Sequence, residues 1–358
     1  MNVKRRKILL VIVAILVFSA LIVTAITYPN VTAAEKNAEQ EEDFIKWVEF
    51  KPPVCAMEKA LEADIDSYND AIHLNWIDLL SYLAASYWGE WSRYKSSDLD
   101  ALIAKLKDGQ KIEQLAAGYQ EFPYFREAYH AVLDGFVGEY QIGTGGYDIN
   151  GNQIMETKYG LRAYSPIAYG FSFNHYKDFG VSRSFGFKRR HLGNDLVASV
   201  GTPVVAVESG VVTQCGWNKY GGWRIGIRSF DSKRYYYYAH LRKDHPFAPG
   251  IEVGSVVNAG DLIGYVGMTG YSNTENVNGM TIPHLHFGMQ LIFDESQVES
   301  DNEIWIDVYN IVNLLEKHKS PLVRKEGEKD YARKYQFVDP TTEAYKQEQA
   351  SSETQSAA

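Results

Sequence analysis

The chain has 358 residues, of which 45% are hydrophobic and 13% aromatic, and its formal net charge is −9. This length predicts about two domains with appended segments. The acidic balance, without a long stripe of lysine and arginine, excludes nucleic acid as an expected partner.

The first segment predicts export. Residues 1–7, which include the basic run "KRRK", are expected to remain in the cytoplasm. Residues 8–28 contain an uncharged run of 19 residues from position 8 to 26, which is long enough to cross a hydrocarbon core of about 30 Å. The basic residues before this run place the rest of the chain outside. We therefore predict a single-pass membrane protein. The alternative is secretion after cleavage near residues 31–33.

Residues 29–43 are polar and predict a linker. The pattern of residues 44–145 is helical and predicts a small all-α domain, for which a protein partner is left open. In "SSDLDALIAKLKDG", Ser97 and Asp100 resemble a capping box, and Gly109 is expected to end the helix.

The glycine-rich residues 146–164 predict a second linker. Residues 165–325 consist of short β-branched or aromatic runs separated by Gly, Asn and Asp, a pattern typical of antiparallel sheets. Residues 326–358 are charged and predict a disordered tail. The predicted fold class is therefore multidomain: one N-terminal transmembrane helix, a small all-α domain and a C-terminal all-β domain.

Five side chains of the β domain form three short motifs. They are His191 and Asp195 in "RRHLGNDL", His240 in "YYYYAHL", and His284 and His286 in "PHLHF". Strand alternation puts both histidines of the last motif on one face, and in extended chain the first pair also shares a parity. A lone histidine is most often structural, but burying these groups together without a ligand leaves polar atoms unpaired. A zinc site with three protein ligands explains them, and leaves two groups for proton transfer or oxyanion stabilisation.

The order HxxxD, AHL, GDxIGYVGxTG and PHLHF, over residues 165–293, resembles the LytM-type (M23) or lysostaphin-like zinc metallopeptidases. The resemblance implies three Zn²⁺ ligands, His191, Asp195 and His286. It also implies that the protein is an endopeptidase that acts on the peptide cross-links of peptidoglycan. His240 and His284 are then the residues expected to act in catalysis. His284 is expected to accept the proton of water or deliver it to the leaving amine, and His240 to hold the water or the oxyanion.

Some positions depart from the family pattern. The segment "RSFGFKRRHLGND" is compressed, with Lys188 where an arginine is expected, so the sequence leaves open how one cleft wall is built. Residues 271–282 are longer than usual, and either rim the cleft or form a surface insertion. Tyr236 and Tyr238 share the parity of His240; they lie near the site or pack in the core.

An alternative function is a non-catalytic LytM-like exported scaffold that binds a partner protein or the wall. Degenerate modules of that kind lose ligands or catalytic histidines. Here all five positions are filled, which favours the enzyme.

Overall fold

The computed structural model describes residues 44–356, and the residues from 45 onward cluster into one compact unit. The N-terminal part of this unit is helical. Its helices are α1 (Val54–Ser67), α2 (Trp76–Tyr87), α3 (Ser96–Lys107), α4 (Ile112–Leu115) and α5 (Phe122–Leu133), with a 3-10 turn at Trp91–Arg93. Two further helices, α6 (Tyr309–Leu315) and α7 (Pro340–Ser356), come late in the chain.

Helix α2 begins at a side-chain cap. The Asn75 side chain accepts hydrogen bonds from the backbone N–H groups of Ile77 and Asp78 at 2.8 and 3.1 Å. These bonds satisfy two donors that the start of a helix leaves unpaired. The apolar face of α2, with Leu80 and Leu83, is buried in the core.

Helix α3 starts differently from its prediction. It begins at Ser96, the preceding residue makes no side-chain cap, and the capping box of Ser97 and Asp100 does not form. Instead the Ser96 hydroxyl accepts a hydrogen bond from Lys59 Nζ of α1 at 2.6 Å. Gly109, at φ +89°, follows the helix end in the left-handed conformation that glycine adopts most readily.

Most of the remaining chain forms antiparallel sheets. The strands are β1 (Val137–Tyr147), β2 (Gln153–Leu161), β3 (Asn174–His175), β4 (Ser182–Phe185), β5 (Phe187–Arg190), β6 (Asn194–Val197), β7 (Pro203–Val205), β8 (Gly210–Asn218), β9 (Gly222–Ser229), β10 (Arg234–Ala239), β11 (Val256–Val257), β12 (Leu262–Tyr265), β13 (His284–Leu291), β14 (Ile304–Ile306), β15 (Leu322–Arg324), β16 (Tyr331–Arg333) and β17 (Phe337–Val338). The largest sheet has the order β11-β8-β9-β10-β13-β6-β3, and β14 also pairs with β13. A three-stranded sheet has the order β17-β1-β2.

Strand β13 lies inside the large sheet and contributes to the core on one face. Leu285 and Phe287 are fully buried, as are Tyr236 and Tyr238 of the neighbouring strand β10. Tyr238 is directly opposite Phe287, and the centroids of their rings are 5.3 Å apart. Because side chains alternate along a strand, the other face of β13 is free for polar residues.

A buried charged cluster joins the helical region to the β domain. The Arg234 side chain is 1% exposed and donates to both carboxylate oxygens of Glu208 at 2.8 and 3.0 Å. Its Nη1 donates to the carbonyl of Ala131 in α5 at 2.8 Å. Gly135 lies so close that a Cβ there would be 1.6 Å from a Glu208 oxygen. The helical and β residues also share one buried core.

At two places the structure differs from the predicted boundaries. Residues 146–164, predicted as a linker, contain β2, which pairs with β1. Residues 326–358, predicted as disordered, contain β16, β17 and the whole of α7. Phe337 explains the second difference, because its buried ring stacks 5.3 Å from that of Tyr140. The charged average composition of the tail conceals this apolar anchor.

The predicted fold class is corrected in one respect. The membrane-spanning helix was predicted over residues 8–28, outside the described residues. Within residues 44–356 no helix is both long and apolar enough to cross a membrane. Helix α7 has 17 residues with the polar sequence "PTTEAYKQEQASSETQS", whereas a span takes about 20 predominantly apolar residues. Over residues 44–356 the architecture is a helical region followed by a β-rich domain.

Candidate active site

Two histidines lie on the open face of β13. His284 and His286 alternate with the fully buried Leu285 and Phe287. In the sheet, His286 is directly opposite Asp195 of β6. Because side chains that face each other across neighbouring strands lie close together, this register brings Asp195 Oδ1 to 3.4 Å from His286 Nδ1.

His191 reaches the same point from the turn between β5 and β6, so the extended segment assumed for His191 and Asp195 is not formed. Its Nδ1–H donates to the carbonyl of Asp178 at 3.0 Å. The Nε2 atom then faces Asp195 Oδ1 at 3.0 Å and His286 Nδ1 at 2.7 Å. Gly193 makes the turn possible, because a Cβ there would lie 2.8 Å from atoms of the His286 ring.

Three candidate ligand atoms converge here. They come from His191, Asp195 and His286, and all lie within 4.8 Å of one another. Asp195 Oδ1 is buried and has no hydrogen-bond partner, which is costly for an acceptor unless a cation meets it. Two imidazole nitrogens and one carboxylate oxygen are a donor set that catalytic zinc takes, with a fourth position left open. These residues therefore fit a zinc ion.

Asp178 and Arg183 hold the candidate ligands in place, and the sequence-based reasoning missed both. Asp178 Oδ1 accepts a hydrogen bond from the Asp195 backbone N–H at 3.2 Å. Arg183 Nη2 donates to Asp178 Oδ2 at 2.5 Å and to Asp195 Oδ2 at 3.2 Å. Such contacts fix the orientation of ligands and the tautomer of a histidine. The only signal in the sequence was an aspartate and an arginine in the turn-rich segment before His191.

Burial and neighbouring charges act on these groups in opposite directions. For His191, burial opposes the charged form, but the neighbouring carboxylates of Asp178 and Asp195 outweigh it and raise the pKa to about 9. For Asp195, burial favours the neutral acid, yet the neighbouring imidazoles of His191 and His286 hold its pKa well below the usual range. Asp195 is therefore ionised, as a metal ligand must be.

His240 and His284 complete the cluster. His240 Nδ1 donates to the carbonyl of Thr269 at 2.8 Å, and His284 Nδ1 to the carbonyl of Ile282 at 2.9 Å. A carbonyl oxygen can only accept, so in the neutral form of each ring Nε2 keeps its lone pair. The two ring centroids are 4.8 Å apart, and His284 Nε2 lies 3.7 Å from Asp195 Oδ1. Burial, reinforced by the charges of neighbouring histidines, lowers the pKa of His240 well below its ordinary value.

The direction of His240 departs from strand alternation. Tyr236, Tyr238 and His240 share a parity, but both tyrosines are fully buried in the core whereas His240 lines the cleft. The reason is that β10 ends one residue earlier and His240 has φ +60°. Packing is therefore the role of the two tyrosines, and Tyr237, with the opposite parity, lines the cleft.

The five side chains open into a cleft of about 650 Å³. One wall is the hairpin of β4 and β5, and the other includes Tyr271 and Met280, so the long segment 271–282 does rim the cleft. Arg189 of the hairpin donates to the Tyr271 hydroxyl. The Tyr271 ring in turn stacks on His240 with centroids 5.8 Å apart. The two walls thus meet beside a candidate catalytic histidine.

Comparison with known proteins identifies relatives of the β domain. Residues 189–300 match the model of "Peptidase family M23". The L-Ala–D-Glu endopeptidase of Bacillus subtilis (strain 168) is 42% identical over 124 residues, 35% of this chain and 36% of that protein. Lysostaphin of Staphylococcus staphylolyticus is 41% identical over 98 residues, 27% of this chain and 18% of that protein. The solved catalytic domain of the antimicrobial peptidase lysostaphin from Staphylococcus simulans aligns at 34% identity with a TM-score of 0.28, covering 33% of this chain and 80% of that one.

This similarity covers a limited part of each protein. The chain spans about a third or less of the length of these two curated relatives. The matched residues 189–300 contain all five histidine and aspartate positions of the site, whereas helices α1 to α5 precede them. The family match therefore contains the site and begins after the helical region.

Proposed function

We propose that the chain is a zinc-dependent endopeptidase that hydrolyses peptide cross-links of bacterial peptidoglycan. The proposal is supported by the match of residues 189–300 to the M23 peptidase family. The observation that carries the proposal is the approach of His191 Nε2 and His286 Nδ1, at 3.0 and 3.4 Å, to Asp195 Oδ1, a buried oxygen without a hydrogen-bond partner. We place this activity outside the cytoplasm, because the wall lies there.

The proposed ligands are His191, Asp195 and His286, and they would bind the ion with the carboxylate ionised and both imidazoles neutral. When bound, zinc supplies the Lewis acidity that polarises a scissile carbonyl and lowers the pKa of water to about 7. Arg183 donates a hydrogen bond to the Asp195 carboxylate, and Asp178 accepts one from the Asp195 backbone N–H, so both contacts keep this ligand in place.

His284 and His240 are the proposed catalytic residues. Each gives its Nδ1 proton to a backbone carbonyl, which fixes the ring and turns Nε2 into an acceptor. His284 Nε2 is the closer of the two to the ligand group, at 3.7 Å from Asp195 Oδ1. We therefore assign to His284 the transfer of a proton from water to the leaving amine. His240 accepts a hydrogen bond from the same water and orients it.

The test is a digestion of purified peptidoglycan by the zinc-loaded full chain. Walls of several chemotypes, with direct and glycine-containing cross-links, are incubated with wild type and with His284→Ala, and the products are identified by mass. Wild type is expected to release cross-link peptides and the variant to lose most of that activity. The masses identify the bond that is cut.

Two results distinguish the hypothesis of an active enzyme from that of a non-catalytic scaffold. If wild type releases no more peptide than His284→Ala from every wall, the catalytic proposal fails. Wall binding by both proteins without release would then favour the non-catalytic scaffold.

A further inference from the structure

The cleft is rich in positive charge although the chain as a whole is acidic, with a net charge of −9. The arginines that line it are Arg183, Arg189, Arg190, Arg224 and Arg228. Its acidic lining residues are Asp195, which belongs to the proposed metal site, and Glu299 and Glu303. A cleft lined by one sign of charge concentrates ligands of the opposite sign.

The partners of these arginines distinguish them. Arg183 is paired with Asp178 and Asp195, and Arg228 with Glu295. Within residues 44–356, no carboxylate lies at ion-pair distance from Arg224, whose hydrogen bond goes to the neutral amide oxygen of Gln214. Arg189 and Arg190 likewise have no carboxylate at that distance in the described residues, but Arg189 donates to Tyr271 and stacks on its ring. Arg224 is therefore one of the cleft cations whose charge is left for another partner.

Arg224 and His286 of the proposed metal site both lie close to the ring of Tyr237. Its Cζ atom is 5.9 Å from the centroid of the Tyr237 ring, and that centroid is 5.7 Å from the centroid of His286. Burial raises the pKa of Tyr237, while the positive charges of Arg224 and Arg189 lower it, so both guanidinium groups act on this one ring. Because successive Cα atoms of a peptide are 3.8 Å apart, Arg224 is in range of a residue one or two positions from the scissile amide.

The guanidinium is held in place by its surroundings. Gln214 Oε1 accepts from Arg224 and also from the Tyr235 hydroxyl, the latter at 2.8 Å. Gly226 makes room for Tyr235, since a Cβ at this position would lie 2.2 Å from the Tyr235 oxygen. A cation fixed in this way loses little conformational entropy when it binds an anion.

The other two acidic lining residues, Glu299 and Glu303, act on Tyr235 of the cleft wall. Burial raises the pKa of Tyr235, and the charges of Glu299 and Glu303 act in the same direction, whereas the charge of Arg224 opposes them. Along β10, Tyr235 is two residues farther than Tyr237 from Ala239, the residue opposite His286. The two glutamates thus act on the tyrosine farther from the proposed metal site, whereas Arg224 acts on both Tyr235 and Tyr237.

We propose that Arg224 is a specificity-determining residue that binds a free carboxylate of the substrate, so that the chain prefers a cross-link peptide with an acidic residue beside the scissile amide. An uncharged glycyl bridge would leave this guanidinium unpaired. Both kinds of bond, one beside a glutamate and one between glycines, occur in the names of relatives: an L-Ala–D-Glu endopeptidase and a glycyl-glycine endopeptidase. This inference rests on the proposed peptidase function and adds the substrate class to it.

The test compares matched peptides on the zinc-loaded full chain. Three substrates are used: a cross-link peptide with a glutamate beside the scissile bond, its twin with glutamine, and a glycine bridge of equal length. Wild type is expected to cleave the glutamate peptide with a kcat/KM about tenfold or more above that of the glutamine twin, the scale of one charge-assisted hydrogen bond.

Arg224→Gln is expected to remove this preference through a higher KM, and Arg224→Lys to restore part of it. Arg228→Gln, whose wild-type side chain is paired with Glu295, serves as the control and keeps the preference.

Each other outcome decides the question. Equal cleavage of all three peptides by wild type, or preference for the glycine bridge, would overturn the inference and leave the proposed function intact. An equal loss on acidic and neutral peptides in Arg224→Gln would overturn it too, because it would show a structural role. No cleavage of any peptide or wall by wild type would remove the proposed function itself.

Discussion

Asp195 and His286 are directly opposite each other on the paired strands β6 and β13, with Asp195 Oδ1 3.4 Å from His286 Nδ1. The backbone register alone therefore places two of the three proposed ligands. His284 is only two residues away and its Nε2 is 3.7 Å from the same oxygen. It nevertheless lies outside the group of mutually close ligand atoms.

This difference predicts how zinc content responds to substitution. Asp195→Ala and His286→Ala each remove a proposed ligand and are expected to lower the zinc content of the purified chain strongly. His284→Ala is expected to retain zinc while losing activity, because it removes only a proton-transfer group. The measurement is metal analysis after dialysis, with circular dichroism to show that each variant is folded. Equal zinc loss in all three variants would contradict this division of roles.

Asp178 provides a second prediction about the metal. Its carboxylate binds the backbone of Asp195 and the side chain of Arg183 and lies 3.2 Å from His191 Nδ1, while the Asp178 backbone carbonyl, which substitution leaves in place, also accepts from His191. We expect Asp178→Ala to weaken zinc affinity by about tenfold or more. Affinity is measured by competition with a chelator. The control is Asp108→Ala, at an exposed position after α3. Unchanged affinity in Asp178→Ala would show that the backbone contact alone orients the site.

Gly193 predicts a steric effect at the same place. A Cβ at this position would lie 2.6 Å from the Phe287 carbonyl oxygen and 2.8 Å from the His286 ring. Gly193→Ala is therefore expected to displace the ring and to lower both zinc affinity and activity by about tenfold or more. Gly118→Ala, where nothing lies within 4 Å of the added atom, is the matched control. If both variants behave as wild type, the turn adjusts without cost.

The site shows what could be predicted from the sequence. Alternation along β13 correctly put His284 and His286 on one face, because that segment is a regular strand. The same rule failed for His240, whose φ of +60° turns its side chain away from the face of Tyr236 and Tyr238. A single backbone angle at a strand end leaves no periodic signal in the sequence.

The remaining parts depend on contacts that are distant in sequence. Asp178 and Arg183 act on the site through side-chain geometry in a segment with little regular structure. The sequence pattern separated a helical and a β domain, but it could not show that Arg234 donates to Ala131 in α5. Pairing of β17 with β1 likewise joins residues far apart along the chain. Local patterns identify elements, whereas these pairings follow from the whole fold.

His130 predicts a pH-dependent contribution to stability. Hydrogen bonds with Asp134 and Asp78 raise its pKa to about 9 although burial opposes the charge. The unfolded value is about 6.5, so the stabilisation is complete below about pH 6.5 and is lost as the pH rises through about 9. We expect His130→Gln to lower the free energy of unfolding by about 1–2 kcal/mol at pH 6, a value reduced because Asp134 is partly exposed, and by much less at pH 9.5. Urea unfolding at both pH values measures this difference, and an equal loss at both would exclude a charge effect.

The buried pair of Arg234 and Glu208 predicts a stability effect that depends on which partner is removed. Both side chains lie in the junction between helix α5 and the large sheet, and Tyr236 donates a hydrogen bond of 2.5 Å to the same carboxylate. Arg234→Met alone leaves Glu208 buried and unpaired, so we expect a loss of about 3–5 kcal/mol in the free energy of unfolding. The double variant Arg234→Met, Glu208→Gln removes both buried charges, and is expected to recover a large part of this loss because Asp231, the other carboxylate paired with Arg234, is partly exposed to water. Thermal and urea unfolding measure both effects. If the double variant is as unstable as the single one, the bond from Arg234 to Ala131 accounts for the loss, and pairing of the charges does not.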